Sequence, residues 1–225
     1  MKNSKPMVNL NVERQNDIVA MQNPQNVREV FKDMTLEECQ EKCYADRLPF
    51  DACFLNITSD LNVSASIRTL HLMGVEKIFI LGKKKLDRRA LVGAEFYTDL
   101  EYMGGLNLDT LEIENEVFLE MLSQNEDYFP IFVEMGGENL KDINWKESLA
   151  KVNEPNHAYQ AYRPLLIFGN EHRGIGDNIL AIKDKLPRSL VVSIPMKGVL
   201  RSLNVSASVA MVTWDMVSQM YNIEL

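Results

Sequence analysis

The chain has 225 residues, 46% hydrophobic and 25% charged, with a formal charge of −8. That length and composition fit one sizeable core with a small appendage and exclude large-scale disorder; no apolar run nears the roughly 20 residues needed to cross a bilayer. The acidic balance excludes nucleic-acid binding through the whole surface, because phosphate contacts need Lys and Arg. In chain order, residues 1 to about 23 are polar and weakly patterned. Thr35 followed by Glu38 reads as a capping box, and Leu36, Cys39, Cys43 and Leu48 give a short amphipathic helix. The core then begins with Phe50 to Ile57, a continuous apolar run of buried-strand type, and Asn62 opens a helix closed by Gly74. Lys77 to Leu81 is the next strand. Arg88 to Phe96 reads as helical, Leu108 to Ile113 as a short strand and Val117 to Leu122 as part of a helix. Tyr128 to Met135 is a further strand, and the polar segment from Gly136 to Gln160 holds at most one helix, around Lys146 to Val152. Pro164 to Phe168 and Leu190 to Ile194 complete the strands, and a final helix runs from about Leu203 to Tyr221. Strands alternating with helices predict an α/β fold: a mainly parallel sheet with helices on both faces.

Charge is unevenly spread. Lys83, Lys84, Lys85, Arg88 and Arg89 follow a predicted strand end, and Lys197 and Arg201 lie near the C-terminus, whereas Glu112 to Asp127 is an acidic stretch. A basic face on an acidic body is one reading; plain solvated surface is the other. Cys39, Cys43 and Cys53 make an odd count without zinc-like spacing, and no secretory signal precedes them. The expectation is reduced thiols in a cytoplasmic protein, with no metal and no membrane partner.

Three strings stand out: Asn62-Val-Ser-Ala-Ser-Ile-Arg68, Phe168-Gly169-Asn170-Glu171-His-Arg-Gly174, and Ile194-Pro195-Met196-Lys-Gly198-Val-Leu-Arg201-Ser202-Leu203-Asn204-Val-Ser206. Each follows a predicted strand, which places them where open α/β sheets bind ligands. Glycines at 169, 174 and 198 let backbone approach a flat ligand, or simply punctuate turns. Leu61-Asn-Val-Ser-Ala-Ser66 recurs as Leu203-Asn-Val-Ser-Ala-Ser208; Asn62 and Asn204 both suit an N-cap, so the echo reads as two similar helix starts.

The order and spacing of the strings resemble the three signature motifs of the SpoU-type RNA ribose 2′-O-methyltransferases of the SPOUT superfamily. The resemblance covers roughly residues 50 to 225, giving a methyltransferase domain over 50–225 and an N-terminal extension over 1–49. It implies a C-terminal trefoil knot, an exception to the rule that folds are unknotted. It also implies S-adenosylmethionine as the cofactor, with Gly169, Ile194, Met196, Gly198 and Leu203 shaping its pocket. By the same resemblance Arg68 is the residue that activates the ribose hydroxyl, and Asn62, Glu171, Ser202 and Asn204 are its polar companions. Because a guanidinium stays protonated in nearly every protein setting, Arg68 acts either as a base made by unusual neighbours or as a cation that stabilises the developing alkoxide. Where the first motif commonly has glycine, this chain has Ser64. The implied partners are RNA, with tRNA guanosine favoured and rRNA the alternative, a second copy of the chain, and conceivably an accessory subunit. A non-catalytic RNA-binding dimer of the same fold is the competing class.

Overall fold

A computed structural model of the chain describes residues 27–151 and 160–221. The first 26 residues, and with them the whole weakly patterned start, lie outside the described part, as do 152–159 and 222–225. The described residues fall into two units, divided between Asp46 and Arg47. In the first, helix α1 (Leu36–Ala45) begins with the expected capping box: the Thr35 hydroxyl accepts from the Glu38 N–H at 3.3 Å, and the Glu38 carboxylate accepts from the Thr35 N–H at 2.7 Å.

The second unit is built on six strands: β1 (Asp51–Leu55), β2 (Lys77–Leu81), β3 (Asp99–Gly104), β4 (Tyr128–Asn139), β5 (Arg163–Phe168) and β6 (Leu190–Ser193). Their order across the sheet is β3-β2-β1-β5-β4-β6, and every pairing is parallel. All six C-terminal ends therefore leave the sheet at one edge. The chain lays β2 and β3 to one side of β1 and the later strands to the other, so the switch point falls between β1 and β5, where a crevice forms outside the strand ends.

Burial explains the layers. Every residue of β1 is buried, and alternate residues face opposite ways: Ala52 and Phe54 join one core, Cys53 and Leu55 the other. The first core receives α2 (Asp60–Leu72) through Val63, Ile67 and Leu70, and α7 (Val205–Met220) through Val205, Val209, Val212, Met216 and Val217. The second receives α4 (Asn115–Ser123) through Phe118 and Met121, and α6 (Asp177–Lys183) through Ile179. Helices thus cover both faces, as the strand-helix alternation predicts. Two single turns, α3 (Arg88–Leu91) and α5 (Trp145–Ser148), complete the helices named here. None of the described helices is long and apolar enough to cross a membrane.

Opposite the strand exits, Asp51 locks the sheet together. Its carboxylate, 2% exposed, accepts from the Lys77 N–H at 2.9 Å, the Tyr128 hydroxyl at 2.6 Å, and Arg163 Nε and Nη2 at 2.8 and 2.7 Å. One side chain on β1 is so bonded to β2, β4 and β5. Burial pushes the Tyr128 hydroxyl's pKa up, and the Asp51 charge pushes it further.

Several expectations need correction. The strand expected at Leu108–Ile113 is a turn with a single bridge, Leu106 to Ile113. The strand actually present nearby is β3, whose six residues are all half-buried at the sheet edge, so no continuous apolar run marks it. Helix α6 was not expected, and β4 runs four residues beyond Met135 through an irregularity that restores pairing with β6 at Glu138 and Asn139. Finally, α2 starts at Asp60, because the Ser59 hydroxyl rather than Asn62 provides the cap.

Candidate functional site

The site is assembled from three loops at the switch point. After β1 the chain turns through Asn56, which takes a left-handed φ of 47°, and reaches Ser59, whose hydroxyl accepts from the Asn62 N–H at 3.3 Å. With the cap supplied by Ser59, the Asn62 side chain is free for longer-range bonds. Its amide nitrogen donates to Glu171 at 2.9 Å, and its amide oxygen accepts from Asn204 at 3.0 Å. Asn204 itself caps α7, accepting from the Ser206 N–H at 2.9 Å. The echoed hexapeptide therefore adopts two different geometries, with asparagine in the first turn of α2 and at the cap of α7.

Glu171 is the hub. Its carboxylate also accepts from the backbone N–H groups of Thr58 at 2.7 Å and Ser59 at 3.1 Å. Burial works to raise its pKa, but hydrogen bonds from Thr58, Asn62, its own N–H and Ser59 outweigh it, holding the carboxyl below the usual glutamate value. Asn204, Asn62 and Glu171 thus link one residue from each of the three motifs in a continuous chain.

Two residues with no role assigned from sequence complete the frame. Asn170 donates to the Asn56 carbonyl at 2.5 Å and the Thr58 hydroxyl at 3.0 Å, and its side-chain oxygen accepts from the N–H groups of His172 and Arg173. Glu134, at the irregularity within β4, accepts from the Ile175 N–H at 2.8 Å. Between them the turn is tight enough to exclude side chains. A Cβ at Gly169 would lie 2.3 Å from the Gly174 carbonyl carbon, and one at Gly174, where φ is +67°, would lie 2.4 Å from a Glu134 oxygen. The only sequence signal for Glu134 is a lone carboxylate ending an apolar strand.

A cleft of about 200 Å³ opens beside this frame. Of the residues expected at a cofactor, Gly169, Ile194, Met196 and Leu203 line it; Gly198 does not, lying exposed on the same loop. Of the expected catalytic group, Glu171 and Ser202 line the cleft, while Asn62 and Asn204 stand behind Glu171 in its hydrogen-bond chain. Arg201, another lining residue, fastens the third loop to the second by donating to the His172 carbonyl at 2.8 Å. Arg68 is not brought to the cluster. It is exposed on α2, about 9 Å along the helix axis from Asn62. The cleft combines an apolar floor that includes Phe168 and Val192 with the carboxylates of Glu134 and Glu171. It is suited to a flat apolar group carrying cationic substituents.

Comparison with known proteins agrees with this geometry. Among solved structures, the chain is similar to the TrmH/SpoU tRNA modifying enzyme of A. aeolicus, with a TM-score of 0.57 and 20% identity over 82% of this chain and 81% of that one. It is also similar to the SpoU methyltransferase AviRb of Streptomyces viridochromogenes in complex with AdoMet, with a TM-score of 0.53 and 19% identity over 77% of this chain; the match spans 58% of AviRb. A third similar structure concerns the 2-OH methylation of C/U34 on tRNA, with a TM-score of 0.53 and 20% identity over 77% of this chain and 98% of that one. At such identities these likenesses establish the fold. No curated protein matches the sequence significantly. The model of the SpoU rRNA Methylase family matches residues 51–214, from the first residue of β1 to deep within α7. The chain belongs to that family, whose members are RNA methyltransferases that draw on S-adenosylmethionine.

Proposed function

We propose that the protein transfers a methyl group from S-adenosylmethionine to the 2′-hydroxyl of an RNA ribose, with a tRNA guanosine as the target. The observation that carries this reading is the hydrogen-bonded chain Asn204–Asn62–Glu171, which ties the three motifs together beside a cleft at the strand ends. The form Gly198-Val-Leu-Arg201-Ser202-Leu-Asn204 supports tRNA, since it resembles the branch that modifies guanosine in the D-loop. The cleft residues fit the donor. The glycine turn at 169 and 174 brings backbone close, the apolar floor suits an adenine ring, and the Glu134 and Glu171 carboxylates suit the positive charge of the other end.

When bound, S-adenosylmethionine supplies an electrophilic methyl group on a sulfonium. Gly169, Ile194, Met196 and Leu203 confine it, with Gly198 giving the third loop its freedom of shape, so that reactants meet in a fixed orientation. Glu171 holds the first and second loops in register through Asn62, Thr58 and Ser59, and Ser202 presents its hydroxyl at the rim. The Arg68 guanidinium would pair with the phosphate next to the reacting ribose and stabilise the oxygen as its proton departs to water.

The place of Arg68 outside the lining of the cleft supports a site completed by a second copy of the chain. An exposed stripe on α7 offers the contact: Ala207, Met211, Trp214 and Ser218 recur at helical spacing, with Met211 45% and Trp214 54% exposed. The domain over 50–225, threaded as a trefoil knot, is the catalytic part in this reading, and 1–49 its extension. The test is to incubate the protein with labelled donor and separate tRNA and rRNA pools, then map the modified ribose. Arg68→Ala lowers incorporation by roughly 10²-fold or more while donor affinity is unchanged; full activity in that variant refutes the assignment.

A further inference from the structure

A charged patch beside the site is not used by the methyl-donor cleft. Of the chain's 24 Lys and Arg residues, five fall within Lys83–Arg89, accompanied by a single carboxylate, Asp87, in a chain whose formal charge is −8. Lys83, Lys84, Lys85, Arg88 and Arg89 are all exposed. Such concentration creates a local positive field that the net charge conceals.

The segment is also braced. The hydroxyl of Ser64, fully buried on α2, accepts from the Asp87 N–H at 2.8 Å. The Asp87 carboxylate is occupied by Arg89, accepting from its N–H at 2.9 Å and from Nε and Nη2 at 3.0 and 2.6 Å. It therefore leaves the lysines without a neutralising neighbour inside the segment. At the other end Gly82, with φ of +100°, packs so closely on Asn56 that an added Cβ would lie 2.8 Å from the Asn56 Cβ. Lys84 Nζ sits 4.3 Å from the centre of the Tyr102 ring. A loop held at both ends loses little freedom on binding.

Its position is equally specific. The loop leaves β2, the neighbour of β1, at the sheet edge where the three motifs gather. Ser64 and Arg68 are four residues apart on α2 and so share one stripe of the helix. The contact that anchors the basic loop therefore lies one turn from the proposed catalytic arginine.

We propose that the Lys83–Arg89 segment is a docking surface for the phosphate backbone of the RNA, set to deliver a nucleotide to Arg68. The proposal rests on the RNA methyltransferase reading and adds where the substrate is gripped. A polyanion is the partner because the cations are exposed, closely spaced and unreadable as a sequence-specific pattern. Bracing by Ser64 fixes this surface against α2.

The test measures binding of a mixed tRNA pool to the full chain by fluorescence anisotropy at several salt concentrations, with S-adenosylmethionine affinity measured calorimetrically on the same samples. Lys83→Gln/Lys84→Gln/Lys85→Gln weakens RNA binding roughly tenfold and lowers the slope of log affinity against log salt by about two to three, with donor affinity unchanged. The control Lys141→Gln/Lys146→Gln/Lys185→Gln, which removes equal charge elsewhere, leaves the slope within about one of the parent. Ser64→Ala lowers RNA affinity several-fold with the slope kept, since every cation remains. RNA binding and slope unchanged in the loop variant overturn this proposal alone and leave the surface to another partner, such as an acidic protein. A parent chain that binds donor but no RNA overturns both the proposal and the RNA part of the underlying reading; one that binds no donor overturns the methyltransferase reading itself.

Discussion

Removing the Glu171 carboxylate asks whether the first and second loops are held by one group. Glu171→Ala strands three donors, the N–H groups of Thr58 and Ser59 and the Asn62 amide. A hydrogen bond to a charged acceptor contributes about 1.5–3 kcal/mol net. Glu171 is only half-buried and water can reach part of the gap, so the three together come to about 2–3 kcal/mol rather than the full sum. For a chain of this size that is a fall in Tm of about 4–12 °C. Glu171→Gln keeps one oxygen for these donors but turns an N–H₂ towards them, and loses about half as much. The pH dependence has a definite sign. A carboxyl held below its normal pKa stabilises the fold above the unfolded value of about 4.3, and the contribution disappears as pH falls through the lower folded value. The gap between parent and Glu171→Gln in thermal or urea unfolding is therefore full at neutral pH and closes below about pH 4. Donor affinity measured alongside falls at least several-fold in both variants. A Glu171→Ala protein that melts within 1 °C of the parent and binds donor equally well would show that the carboxylate does not hold the loops.

Two further outcomes follow from the frame. Asp51→Asn unpairs a buried guanidinium at the far edge of the sheet and lowers stability by about 3 kcal/mol, near the low end for a broken buried pair because Glu76 still contacts Arg163 at 2.9 Å; urea unfolding reads this, and a loss under 1 kcal/mol contradicts it. Gly174→Ala forces a side chain onto the Glu134 carboxylate in a left-handed backbone, so donor binding measured by calorimetry falls at least tenfold even where thermal unfolding shows the fold retained; unaltered binding would mean the turn can relax.

The strands were legible where both faces are covered. Lys77–Leu81 has four buried residues in sequence and was readable to the residue, and the β1, β5 and β6 runs were found within a few positions. β3 escaped because an edge strand alternates Asp and Glu with Leu and Tyr and buries none of them fully. The start of α2 was displaced because Ser59 and Asn62 are both competent caps, and local sequence does not rank them. The ranking comes from Glu171 and Asn204, 109 and 142 residues away, which engage the Asn62 amide nitrogen and oxygen, so the oxygen a cap needs is already taken. In the identical string at Leu203 the Asn204 amide nitrogen donates to Asn62, and its oxygen stays available to cap the helix. Glu134 and Asn170 carried no assigned role for a similar reason: Ile175 lies 41 residues from Glu134, and the Asn56 and Thr58 groups that Asn170 joins to the second loop lie 112 or more residues from it. Motif order identified the loops, but only folding shows which members touch the cleft and which, like Asn62 and Asn204, work from behind it.

The convergence of three loops on one donor cleft is tested most directly by a crystal structure of the chain with S-adenosylmethionine bound. The account predicts density between Glu134 at the irregularity of β4, the Gly169–Gly174 turn and the Ile194–Leu203 loop, with the methyl group facing the rim that holds Glu171 and Ser202. Density anywhere else on the molecule would contradict it.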